Sequence, residues 1–309
     1  MNSEITIFAP ATVANVACGF DVMGFAIEHL GDRVTARLSE QPGVKIAAIH
    51  GDNGRLPLDL HKNTAGVAVI KLLETLDQVT NLEIEIYKEM PLASGMGSSA
   101  ASAVAAVVAV NELLGAPLSY RELLPVAMEG ETVASGLAHA DNIAPALLGG
   151  IILIRSYDPL DVLQLPAPRE LRCVILHPAI EIRTSDTRGK LPESIRLKDA
   201  LSQVGNFGAL VAGLLREDYD LIGRSLHDVI AEPCRSPLIP GFAQIKQAAL
   251  DAGAFGCSIS GSGPSIFAFC SNDDTAIAIG KAMQNACAAH GVESKYYCSR
   301  INPVGAVRV

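Results

Sequence analysis

The chain has 309 residues, of which 49% are apolar, and carries 33 acidic against 24 basic residues for a net charge of −9. That length exceeds what one compact core usually holds, so two intimately joined domains are expected. No lysine or arginine cluster offers a footprint for a phosphate backbone, which argues against a nucleic-acid partner.

The N-terminus, Met1-Asn2-Ser3-Glu4, runs straight into strand-like sequence without a basic segment and an apolar stretch behind it, so a cytoplasmic protein is expected. Strand periodicity follows in Ile5-Thr6-Ile7, residues 34–38, residues 44–46 and most clearly Leu82-Glu83-Ile84-Glu85-Ile86-Tyr87, where apolar and polar residues alternate. These runs predict a mostly antiparallel or mixed sheet. Asn63 is placed to cap a helix starting at Thr64, and Ser119-x-x-Glu122 is a capping box that opens another. Between them, residues 98–114 are rich in alanine and valine and almost uncharged, as in a helix buried on nearly all sides. The longest small apolar run, Ala100 to Val110, contains Ser102 and is too short to span a membrane.

After Gly149-Gly150 the run Ile151 to Ile154 predicts a buried strand, and Pro159, Pro166 and Pro168 punctuate a polar stretch over 156–170. A domain boundary is expected there, giving domains 1–165 and 166–309. Beyond it the pattern predicts a strand at 171–176, helical patterns over about 196–231 and 240–252, strands at 254–259 and 265–270, a helix at 274–289 and a strand around 293–301, in the order β, α, α, α, β, β, α, β. That order suggests an α+β sandwich with helices packed on one sheet. Seven cysteines, at 18, 173, 234, 257, 270, 287 and 298, are scattered and form no C-x-x-C pair, which predicts mostly buried reduced thiols.

Residues Pro91-Leu92-Ala93-Ser94-Gly95-Met96-Gly97-Ser98-Ser99-Ala100 join the alternating strand to the buried helix. Glycines and hydroxyls at a helix N-terminus suit an anion, because unpaired N–H groups and the positive dipole end point outward there. A Walker A loop fails for want of Gly-Lys-Ser/Thr. Gly95-x-Gly97-x-x-Ala100 matches a dinucleotide fingerprint, which would imply an NAD-dependent oxidoreductase. The preceding strand alternates, however, and no acidic residue ends a second strand about 20 residues on. On its own the loop is also consistent with a glycine cap followed by a serine cap and no ligand.

The decisive pattern is the combination. Pro91-x-x-x-Gly95-Met96-Gly97-Ser98-Ser99-Ala100 resembles the phosphate-binding motif of the GHMP kinases, the superfamily of galactokinase and the homoserine, mevalonate and phosphomevalonate kinases. Pro10-Ala11-Thr12-x-Ala14-Asn15-x-x-x-Gly19-Phe20-Asp21 resembles the first motif of the homoserine kinase branch. Gly253-Ala254-x-Gly256-x-x-x-Ser260-Gly261-Ser262-Gly263-Pro264-Ser265 resembles the third. The three stand in the family's order and spacing across essentially the whole chain.

The resemblance implies a two-domain GHMP kinase fold, ribosomal protein S5 domain 2-like at the N-terminus and ferredoxin-like at the C-terminus, with ATP and Mg²⁺ bound in the cleft. It implies ATP-dependent phosphorylation of L-homoserine to O-phospho-L-homoserine in threonine biosynthesis, with mevalonate kinase as the rival within the superfamily and a non-catalytic metabolite sensor as a rival outside catalysis. Nucleotide contacts fall on residues 91–101, namely Pro91, Leu92, Ala93, Ser94, Gly95, Met96, Gly97, Ser98, Ser99, Ala100 and Ala101, and on Asn63, whose plainer role is the helix cap. Ser98 or Ser99, taken as Ser99, and Glu131 are assigned to the metal, whereas Glu129 reads as a solvated helix end. Asn15, Asp21, His139, Thr184, Arg188 and Arg235 are assigned to the substrate, the arginines because a planar fork suits a carboxylate. Asp21 is also the one obvious candidate base, although phosphoryl transfer needs mainly positioning and charge neutralisation. Many such kinases are homodimers, and no membrane partner is implied.

Overall fold

The computed structural model describes residues 4–136, 138–183, 187 and 189–309, with residues 134 and 135 as backbone only. Two sheets organise it. The first has seven strands: β11 (Val307–Arg308), β1 (Glu4–Ala14), β2 (Met23–Leu38), β4 (Leu82–Tyr87) and β3 (Val44–His50) lie side by side, while β5 (Ile151–Tyr157) joins β2 and carries β6 (Leu160–Leu165). All pairings are antiparallel except β3 with β4, so the sheet is mixed. In β4 the pattern Leu82, Ile84, Ile86 faces the core and Glu83, Glu85, Tyr87 face outward, as its period-two alternation requires.

Helix α2 (Ser98–Leu113) lies at the centre of this unit, with β1 and β2 on one side and α1 (Thr64–Thr75) and α3 (Tyr120–Ser135) on the other. Thirteen of its residues are buried, which is why its surface is built from alanine and valine: small side chains let the surrounding elements approach closely. Asn63 Oδ1 accepts from Ala65 N at 3.0 Å and caps α1, and the Ser119–Glu122 capping box opens α3. A further helix, α4 (Ala140–Leu148), packs across β1 and β2.

The second sheet orders β10 (Ser294–Arg300), β7 (Arg172–Pro178), β9 (Ile266–Cys270) and β8 (Gly256–Ile259), all antiparallel. Its inner strands β7, β8 and β9 are buried on both faces, and strand alternation divides their residues between two cores. Phe267 and Phe269 of β9 and Cys173 and Ile175 of β7 join the large core, where Phe25 of β2 meets the two phenylalanines at 6.1 and 5.3 Å between ring centroids. Ile266, Ala268, Val174 and Leu176 face the other way, under α8 (Phe242–Asp251) and α9 (Asp273–Ala289). Helices α5 (Leu197–Arg216) and α6 (Tyr219–Ser225) close the remaining side, and the short α7 (Glu232–Arg235) follows them.

One expectation needs correction. The stretch 156–170 is no featureless link, since β6 occupies 160–165 and makes a hairpin with β5. Within the helical patterns expected over 196–231, the chain turns left-handed at Glu217, φ 54°, and Asp218 then caps a second helix through Leu221 N, as the expected order of three helices before the next strand requires. Helices flank the second sheet on both faces. The cysteines are free, and five of the seven are buried, with Cys234 half-buried and Cys298 exposed. Among the described residues no helix is long and apolar enough to cross a membrane.

Candidate active site

A cavity of about 570 Å³ opens where the 92–99 turn, the start of α1, Glu131 of α3, residues 139–142 and the segments holding Arg183, Arg235 and Gly261 converge. Its floor is the glycine-rich turn. Gly95 and Gly97 have φ of 76° and 70°. A Cβ on Gly97 would lie 2.1 Å from Thr12 Oγ1, and one on Gly95 would lie 2.6 Å from the Ser260 carbonyl, so closeness as well as handedness demands glycine at both.

The turn is sewn to the other two motifs through its carbonyls. Met96 O accepts from Thr12 N at 3.0 Å, Ser94 O from Ser265 N at 3.2 Å and Gly95 O from Ser260 Oγ at 2.7 Å. At the start of α2 the N–H groups of Ser98, Ser99 and Ala100 have no intrahelical acceptor, and no side chain caps them. An anion completes such an end, aided by the helix dipole. Leu92, Ala93, Ser94, Gly95, Gly97, Ser98, Ser99 and Asn63 line the cavity. Pro91 is outside its lining, the side chains of Met96, Ala100 and Ala101 are buried in the core, and Ala101 N is bonded to Gly97 O at 2.9 Å.

Beneath the turn lies a buried ion pair that the sequence reading missed. Lys88 and Asp32 have side chains 2% and 0% exposed and are in direct contact. Lys88 Nζ also donates to Ser98 O and Ser102 Oγ at 2.8 Å each, and Asp32 accepts from Glu89 N, Met90 N, Ser98 Oγ and Ser102 Oγ. Every one of these polar groups is satisfied internally, the condition under which a buried charge pair is tolerated. The arrangement also separates the two serines: the Ser98 hydroxyl is committed to Asp32, whereas Ser99 hydrogen-bonds Glu131. Burial pushes the Glu131 carboxyl above its ordinary range, opposed in part by that bond and by the Lys88 charge. Glu129, two residues earlier, is exposed.

The opposite wall is assembled from distant segments. Asn15, Val16, Ala17 and Asp21 all have positive φ, making a tight turn. Asn15 braces it, since Oδ1 accepts from Asp21 N at 3.0 Å and Nδ2 donates to Gly261 O at 2.8 Å. The Asp21 carboxylate lies 4.0 Å from His139 Nδ1, and Asp141 and Asn142 line the same corner. Tyr157 Oη donates to Asp21 O at 2.7 Å and accepts from Ala140 N at 3.4 Å, tying this turn to the start of α4. Arg235 is buried, donates from Nη1 to Gly261 O at 2.9 Å and stacks over Phe20 at 5.1 Å. Its short helix is held by Asp228, which accepts from the backbone N–H groups of Ile230, Ala231 and Glu232. Thr184 and Arg188 lie outside the described residues.

Residues 63–150 match the family model described as GHMP kinases N terminal domain, and residues 210–289 match GHMP kinases C terminal. The chain belongs to the GHMP kinases. This GHMP kinase is 57% identical to the homoserine kinase of Chlorobium phaeovibrioides over 289 residues, 90% of each chain, and 44% identical to that of Xanthomonas campestris pv. campestris over 97% of this chain and 92% of that one. It superposes on the crystal structure of homoserine kinase from Cytophaga hutchinsonii with a TM-score of 0.97 at 55% identity, covering 100% of this chain and 98% of that one. The crystal structure of L. major mevalonate kinase in complex with R-mevalonate has a TM-score of 0.73 at 16% identity and shares the fold. The α+β two-domain GHMP architecture expected from the motifs is therefore the one the chain adopts. The dinucleotide reading of Gly95-x-Gly97-x-x-Ala100 falls with it.

Proposed function

We propose that this GHMP kinase transfers the γ-phosphoryl group of ATP to the side-chain hydroxyl of L-homoserine, forming O-phospho-L-homoserine and ADP in threonine biosynthesis in the cytoplasm. One observation carries the reading: an uncapped helix start with the Ser99–Glu131 pair faces Asp21, His139 and Arg235 across a single cavity.

On the nucleotide side, the N–H groups of Ser98, Ser99 and Ala100 hold phosphate oxygens, and Lys88 supplies positive charge beneath them. Ser99 Oγ and the Glu131 carboxylate, both hard oxygen donors lining the cavity, fit Mg²⁺. Among the described residues no three acidic, histidine or cysteine groups cluster, which suits an ion whose remaining ligands are phosphate and water. Bound Mg²⁺ would neutralise charge on the transferring phosphoryl group. On the acceptor side, Arg235 presents a rigid, stacked guanidinium to a carboxylate, and Asp21 presents an anion to an ammonium. Substrate and ATP are thereby brought together with little need for a strong base.

The finer assignments of Thr184 and Arg188 to the substrate, the division at residue 165 and a homodimeric state belong to the same proposal. Coupled ADP release with Mg-ATP tests it against L-homoserine, mevalonate, galactose, L-threonine and no acceptor. Turnover confined to homoserine supports the reading. Turnover with another acceptor removes the substrate assignment, and ATP binding without turnover removes the activity.

A further inference from the structure

Among the buried residues of helix α5, Leu210, Gly213 and Leu214 are apolar and Gln203 is not. Gln203 is 7% exposed. A buried amide is costly unless its donors and its acceptor are used, and packing alone would be served as well by leucine. Gln203 uses them all. Its Nε2 donates to Cys18 O at 3.2 Å and to Asp228 Oδ1 at 3.1 Å, while Oε1 accepts from Val229 N at 3.0 Å. These bonds reach 185 residues back along the chain and 25 residues forward.

The two segments so joined are the ones that carry Asp21 and Arg235. Cys18 belongs to the 15–21 turn, where Asn15, Val16 and Ala17 are left-handed in succession, with φ of 70°, 42° and 57°. Such a backbone persists only where its surroundings hold it, and a β-branched residue such as Val16 resists it most. Asn15 holds the turn through its amide, and at Cys18 it is held by Gln203 and by the Cys18 thiol, which donates to Ser225 O at 3.1 Å. Asp228, 5% exposed, receives the backbone N–H groups of Ile230, Ala231 and Glu232 and so sets where α7 begins. Arg235 N then bonds Ala231 O at 3.0 Å.

The links close into a ring. In front, Gly261 O accepts from both Asn15 Nδ2 and Arg235 Nη1, and the Arg235 guanidinium stacks over Phe20 of the same turn. Behind, Gln203 ties that turn to the base of α7. A carboxylate and a guanidinium whose segments are joined on both sides keep a fixed separation. An α-amino acid needs this of its site, because its ammonium and carboxylate are carried on the same carbon.

We propose that Gln203 is a positioning residue that sets the spacing between Asp21 and Arg235 to which an amino-acid acceptor is fitted. The inference rests on the reading above, in which those two side chains hold the acceptor. Gln203 is outside the cavity lining and acts through the two segments it joins.

Steady-state kinetics with Mg-ATP and L-homoserine test it on Gln203→Leu, which keeps the size of the side chain and removes its hydrogen bonds. The KM for homoserine rises about tenfold to a hundredfold, as a small misplacement of binding groups requires, and the KM for ATP stays in place. Combined with Arg235→Lys, the increase falls well short of the product of the two single increases, since both substitutions act on the same contact. Gln203→Asn keeps the polarity but is a methylene too short to span both partners. It gives the same split between substrates, and hydrogen exchange rises in residues 15–21 and 228–235 but not in 91–101. An unchanged homoserine KM in either folded variant, equal changes toward both substrates, or single increases that multiply in the double variant overturns the inference and leaves the proposed reaction standing. An unaltered homoserine KM in Arg235→Lys alone removes the reading of the acceptor wall, and the inference with it.

Discussion

The two walls of the cleft are made differently. The nucleotide wall is continuous in sequence, running from Lys88 through the turn into α2, and is locked from below by the Asp32–Lys88 pair. The acceptor wall is assembled from residues 15–21, 139–142, 157, 235 and 261, segments far apart in sequence that meet through a few hydrogen bonds such as Tyr157 Oη to Asp21 O and Arg235 Nη1 to Gly261 O. A buried, over-determined wall suits a cofactor-like part common to many kinases. A wall of loosely joined pieces lets acceptor specificity change one segment at a time.

That contrast can be broken most directly at Lys88. Replacing it with methionine leaves Asp32 buried without its cation, an expected loss of about 3–5 kcal/mol. Urea denaturation should show a much lower midpoint, and an unchanged one would mean that the nucleotide wall is not locked as described. Glu131→Gln should lower kcat roughly 10²- to 10³-fold in steady-state assays while the fold persists.

The pH dependence follows from the same carboxyl. Its folded-state value is raised by burial, so without ligand Glu131 costs no stability below its ordinary range and destabilises the fold increasingly as pH climbs toward the raised value. Ionisation is needed to hold a divalent cation, so the acid limb of the rate profile should lie above the ordinary glutamate range and move to lower pH as Mg²⁺ is raised. A limb indifferent to Mg²⁺ would detach Glu131 from the metal.

Across the cleft the effects should be smaller and confined to one substrate. Arg235→Lys is expected to raise the KM for homoserine about tenfold to a hundredfold and leave that for ATP in place, because lysine cannot reproduce the fork held over Phe20. Tyr157→Phe should cost about 1 kcal/mol, near fivefold in kcat/KM for homoserine, with little change in Tm. An equal change toward both substrates in either variant would erase the distinction between the walls.

The legible parts of the molecule were those with local signals. The α1 and α3 caps, the alternation of β4 and the apolar helix α2 were each readable from a few neighbouring residues, and the glycine turn stood out by composition. Lys88 and Asp32 were not, because each occupies a polar place beside or within an alternating strand and their partnership spans 56 residues. Strand β6 was hidden by the prolines around it, and α4 by Pro145 inside it. Ser98 and Ser99 were indistinguishable as letters; a helix turns successive residues by about 100°, which sends one to Asp32 and the other to Glu131. The roles of Tyr157 and Phe20 had no sequence signature, since each acts on a segment far along the chain or through a stacked ring.

The final residues of the fold bear on how it is made. Ile301 bridges to Ile27, Gly150 N donates to Asn302 O, Ala306 N donates to Leu147 O, and Val307 and Arg308 pair with β1. On a ribosome adding about 5–20 residues per second, the outer edge of β1 has no partner from the time it emerges until residues 301–309 follow, roughly 15–60 s later. The first sheet is thus completed only after the second has emerged, and until then an unfinished copy presents an open strand edge to its neighbours.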